Sequence, residues 1–374
     1  MNMKKKLVAT FFTLLSFSGF AQEKVNFTEK FQQENRGKYK IEINEVKELM
    51  HIMIAITASG KENDDMIEQK GQYYKDVRAY FEPFEHEKII RTLDSVLVSS
   101  MYSYVFLTGN AISYDFKGDR LVKSEIFDFP ANGVANVKIQ QNPITTYKKE
   151  IEDFAKKSKF RKFYADHKKF YAGIIAEYQQ KANLGKQWKW LEENFVTKKD
   201  SYIIFCSPLI NGYNFTGQFK NNNFTLIHMS LPPVDNNPDL TPFENELLNT
   251  RVMFTEIDHN YVGAPTDANK DLINKIFADR KKWVDTQARG TAAYPNPVNV
   301  FNEYMTYGVF VLYCKDHYDQ TTTDKVNKDI TLQMTSRGFT KMQVFTENLL
   351  KVRAEHPDKK IDDLYVQLLN KFTE

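Results

Sequence analysis

Residues 249–262, Asn-Thr-Arg-Val-Met-Phe-Thr-Glu-Ile-Asp-His-Asn-Tyr-Val, constrain this chain more than any other stretch. Read as a helix they are apolar nearly all the way round, through Val252, Met253, Phe254, Ile257, Tyr261 and Val262. A helix with no broad polar stripe is a buried helix. It nevertheless carries Glu256 and His259, three apart and therefore on one face. Burying a charge is costly unless it is paired or bound to a metal. A second stretch, 297–314, is equally apolar and opens with a start signal, Asn296 followed by Pro297. Between Gly290 and Cys314, Glu303 is the only Asp, Glu, Lys, Arg or His. A lone carboxylate in such a helix requires a cation nearby.

The chain begins with Lys4, Lys5 and Lys6, then an apolar run from Leu7 to Phe20, then Ser18-Gly19-Phe20-Ala21-Gln22. A basic start, a short apolar run and a small-x-small site describe a signal peptide, cleaved after Ala21. The expected organisation is a leader over 1–21 and one large domain over 22–374, exported to the periplasm or beyond, with no membrane anchor. The formal charge of the whole chain is +3, and removal of the three leader lysines brings it to zero. That balance argues against a nucleic-acid partner. Seven histidines and two cysteines, with no Cys-x-x-Cys spacing, exclude a zinc ribbon or finger. Cys206 and Cys314 could pair or remain buried thiols.

Periodicity gives a helix from Asn44, with Val46, Leu49, Met50 and Met53 on one face and Glu48 and His51 on the polar face. Further helices are expected from Gln72 to Glu82, from Glu85 onward, and across 146–194. The period then falls to two. Tyr202–Cys206 reads as a buried strand, and 214–219 and 224–229 as a hairpin closed at Lys220-Asn221-Asn222-Asn223. The Pro232-Pro233 to Pro238 segment is a loop. The Glu256 helix should stop at Gly263, with Pro265 just beyond. Helices near 270–284, 339–353 and 361–372 complete an α+β, mostly helical chain with a small mixed sheet.

A sheet, a helix with Glu-x-x-His and a later helix with a buried Glu resemble the zincin metallopeptidases whose third ligand is a glutamate. In their His-Glu-x-x-His signature the histidines ligate zinc and the Glu activates the metal-bound water. The strings Phe-Thr-Glu-Ile-Asp-His-Asn-Tyr-Val and Phe-Asn-Glu-Tyr-Met-Thr also resemble a family of exported bacterial proteins defined by a domain of unknown function. The resemblance implies a zincin-like fold, a divalent metal (zinc in the first place), Glu256 as general base, and His259 and Glu303 as metal ligands. It implies a peptide or protein substrate. The sequence departs from the signature at Thr255, which stands where the first histidine belongs. Thr does not ligate ordinary zinc sites. Three outcomes follow. His228 completes the site; or Glu256 becomes a ligand for a harder metal such as Mn or Fe; or the metal is lost and Glu256, His259 and Glu303 form a hydrogen-bonded relic.

Glu48 and His51 share the Glu-x-x-His spacing, so spacing alone is a weak signal. His228 alternates with Phe224 and Leu226 on one strand face, which favours core packing. No Gly-x-Ser-x-Gly elbow or phosphate-binding glycine loop is present. The expected function is a secreted zincin-like metal-dependent hydrolase, a peptidase by analogy. The alternative is an inactive relic acting as a binding or scaffold protein.

Overall fold

The computed structural model describes residues 15–16, 24–100, 102–134 and 137–373. The expected leader lies outside them, apart from Leu15–Ser16, a two-residue strand beside Phe215–Thr216. The chain is α+β and mostly helical. It divides into two compact units, 1–180 with 199–234, and 181–198 with 235–374. The Pro-rich loop at 232–238 carries one of the passages between them.

The first unit holds a mixed sheet. Lys38–Glu42 runs parallel to Ser201–Cys206, which runs parallel to Phe224–Leu231. The last of these pairs antiparallel with Phe215–Asn221. Ser201–Cys206 is buried at every position, as a strand covered on both faces must be. The hairpin closes at Asn222 and Asn223, with φ of 50° and 56°. Two successive left-handed residues make the tight turn that suits strand twist, and Asn tolerates them well.

The helix Glu45–Ala55 is capped by Asn44, whose side chain accepts from the amides of Val46 and Lys47 at 3.0 Å each. It has no exposed face in the folded protein. Every residue from Val46 to Ala55 is buried, including Glu48 and His51. The expected polar face is covered by other helices of the same unit, Gln72–Phe81, Ser103–Gly109 and Lys168–Lys181.

The second unit is built on two long helices, Pro242–Ala268 and Pro297–His317, which pack together through Phe254 against Phe310 and Tyr313. Thr241 and Glu244 form a reciprocal capping box at the start of the first. Asn296 caps the second by accepting from Asn299 N at 2.9 Å, as its sequence indicated. Pro265 does not end the first helix, which continues to Ala268. Its ring is buried, and the Tyr365 hydroxyl donates to the nearby Val262 carbonyl at 3.1 Å. Packing therefore outweighs the backbone bond that proline cannot make. The helix expected over 270–284 stops at Ile276, and a helix over Gln320–Ser336 was not evident from periodicity. Both cysteines are free, buried thiols. Among the described residues no helix is long and apolar enough to cross a membrane.

Candidate functional site

Glu256 and Glu303 are both buried, as their helices demanded. The cation that Glu303 requires is Arg337, whose Nη2 donates to Glu303 Oε1 at 2.6 Å. The Glu303 side chain is 1% exposed and that of Arg337 16%, so the acid is withdrawn from water while its partner keeps some contact with it. The guanidinium also lies 5.4 Å from the ring centres of Tyr307 and Phe339 and donates to Tyr294 Oη at 3.1 Å. Burial, reinforced by Glu303, holds the Tyr294 phenol well above its ordinary range, so it stays a neutral partner.

Arg337 reaches this position through a specific helix ending. It caps the Gln320–Ser336 helix, and Gly338 follows at φ +100°. Gly338 N bonds to Thr335 O at 2.9 Å and Phe339 N to Met334 O at 2.8 Å. These two reversed bonds define a Schellman ending, which favours glycine at the left-handed position. A Cβ on Gly338 would also lie 2.6 Å from Ala288 Cβ. Sequence reasoning missed Arg337; the Arg-Gly pair was the available signal for a helix end.

His259 Nδ1 lies 3.3 Å from Thr306 Oγ1, whose own proton goes to Asn302 O at 3.0 Å. Thr306 therefore accepts, His259 carries its proton on Nδ1, and Nε2 presents a bare lone pair. Nε2 is buried with no hydrogen-bond partner among the described residues. Burial depresses the imidazole pKa, Glu303 partly opposes this, and Arg337 adds to the depression. Glu303 Oε2 likewise has no hydrogen bond among the described residues. Asp258, which the sequence did not single out, is fully buried with neither oxygen bonded among them. Burial, with repulsion from Glu303 and Glu256, raises its pKa well above the carboxylate range and favours the protonated acid.

Two ligand-type atoms, His259 Nε2 and Glu303 Oε2, are unbonded here, and the other groups that could join them are committed elsewhere. Thr255 turns its hydroxyl back onto its own helix, donating toward the carbonyls of Arg251 and Val252 at 3.2 Å each. Glu303 is already paired with a cation. His228, the candidate to complete the site, belongs to the first unit, where its Nε2 lies 3.1 Å from Lys47 Nζ. Among the described residues no group of three or more His, Cys, Asp or Glu side chains is placed to hold a metal ion.

The first unit contains a second polar cluster. Lys47, Glu48, His51 and His228 are all buried, with Lys47 and Glu48 fully so. Lys47 Nζ donates to His228 Nε2 and, at 3.0 Å, to Ser230 Oγ, and lies 4.6 Å from the Phe205 ring centre. Burial lowers its pKa to about 7, against a smaller opposing pull from Glu42. Glu48 accepts from Tyr73 Oη at 2.7 Å, and Tyr73 Oη lies 2.6 Å from Tyr171 Oη. Burial raises the Glu48 pKa to about 7, with Ser207 and Tyr73 hydrogen bonds pulling it back part of the way. His51 donates from Nδ1 to Lys47 O at 2.7 Å, so its Nε2 accepts the Tyr104 hydroxyl at 3.0 Å. Burial lowers the His51 pKa to about 3, which keeps the ring neutral. Glu48 Oε2 has no hydrogen bond among the described residues, and none of the four groups is more than 1% exposed.

No protein-family model, curated protein or solved structure matches this chain.

Proposed function

We propose that this chain is an exported binding or scaffold protein built on a zincin-like helix pair in which an arginine stands in for the metal. The observation that carries this reading is the 2.6 Å bond from Arg337 to Glu303. A guanidinium is permanently charged and bonds a carboxylate directionally, so it neutralises the buried acid without a metal. Thr255 supports the same reading, because its hydroxyl is committed to backbone carbonyls.

A second reading keeps the hydrolase, with Glu256 as base, His259 and Glu303 as ligands, and a peptide as substrate. The bare His259 Nε2 and the unbonded Glu303 Oε2 favour it, since both are ligand-type atoms. Elemental analysis of the purified protein after zinc loading and desalting separates the two. The binding-protein reading expects far less than one equivalent of zinc and a melting temperature unmoved by chelator. Near-stoichiometric zinc that disappears in Glu303→Ala would replace it with the hydrolase.

A further inference from the structure

The first unit contains a cavity of about 360 Å³, within the range of small-molecule sites, at the ends of the helices Ala58–Glu62 and Lys88–Ser99. Its wall includes one acid, Glu62, and among the described residues no lysine, arginine or histidine. Glu62 is exposed and forms no ion pair among the described residues; its neighbour Lys61 pairs with Glu85 at 2.9 Å. Two aromatic rings, Tyr104 and Tyr213, stand edge to face in the wall, 5.5 Å apart at 81°. Met66 and Leu97 add apolar surface.

Apart from Glu62, the polar groups of the wall are neutral. His51 fixes the Tyr104 proton inward, as its own proton is given to Lys47 O. Asn63 has its side-chain oxygen on Met66 N and its amide on Tyr213 Oη at 3.3 Å. The Ser103 amide, which opens the next helix, is bonded to Ser100 O at 3.0 Å. The carbonyl end of the twelve-residue helix Lys88–Ser99 adds negative potential. A carboxylate, aromatic rings and a helix C-terminus with no opposing base attract a cation and repel an anion.

We propose that this cavity binds a small organic ammonium ion, with Glu62 as counter-charge and Tyr104 and Tyr213 as the aromatic wall. The site is independent of the Glu256 and Glu303 helices, and its failure would leave their reading untouched. The test is calorimetric titration of the full chain with phenethylammonium and, separately, with phenylacetate, which has a similar ring and the opposite charge. Saturable binding of phenethylammonium is expected, at least tenfold tighter than phenylacetate. Glu62→Gln alters an exposed side chain and should weaken binding tenfold or more with the melting temperature preserved. Tyr213→Leu should weaken it by a similar factor. Equal affinity for phenylacetate, unchanged affinity in Glu62→Gln, or no saturable binding of phenethylammonium would each overturn the proposal.

Discussion

Lys47 and Glu48 are adjacent in sequence, fully buried, and direct their charges away from each other. Lys47 turns to His228 and Ser230 on the sheet, and Glu48 to Tyr73 on a helix. Each is stabilised by neutral partners rather than by the other. Folding therefore disfavours both charged forms.

This arrangement gives a specific pH dependence. The Glu48 pKa rises from 4.5 to about 7 on folding, so the folded state keeps a proton that the unfolded state has lost. The stability this contributes is present below pH 4.5 and is lost as pH rises toward 7. The Lys47 pKa falls from 10.5 to about 7, so its contribution is present above pH 10.5 and is lost as pH falls toward 7. Together they impose a trough near pH 7. Urea unfolding at pH 5, 7 and 9 should show Glu48→Gln flattening the acid limb and Lys47→Met the alkaline limb. Parallel curves for wild type and both variants would contradict the assignment.

The Arg337–Glu303 pair should behave as a buried ion pair. Arg337→Met alone strands the carboxylate and should cost roughly 3–5 kcal/mol. Adding Glu303→Gln should recover most of that loss, since the desolvated charge is then gone. A double-mutant cycle by chemical denaturation measures the coupling. Additive losses would mean that the two side chains do not depend on one another.

Gly338→Ala combines a left-handed backbone with a contact that a Cβ cannot make. The expected loss is about 2 kcal/mol or more, read as a drop in melting temperature. Gly263→Ala serves as a control, because a Cβ there meets nothing within 4 Å and the residue is helical. That substitution should be neutral or slightly stabilising.

Asp258 offers a second pH test. Its folded pKa is raised, so the stability it contributes is present at low pH and lost as pH rises above the ordinary aspartate range. Asp258→Asn removes the titration. Its stability relative to wild type should therefore improve from pH 4 to pH 8, measured by thermal unfolding. An improvement in the opposite direction would place a cation beside Asp258.

The sequence by itself determined the features that depend on near neighbours. The two apolar helices, the Asn296-Pro297 start, the Asn222-Asn223 turn and the burial of Glu256 and Glu303 follow from local periodicity and backbone preference. Only the tertiary structure decided what neutralises Glu303, because Arg337 lies 34 residues away and reaches it from a helix end. It also decided that Glu48 and His51 are interior. Their helix has hydrophilic side chains on the face that other helices cover, and no short window reveals what will pack there. Pro265 shows the same limit: a local rule ends the helix just before it, and packing carries the helix past it to Ala268. Charge compensation and burial are set by residues distant in sequence, whereas turns and caps are set by adjacent ones.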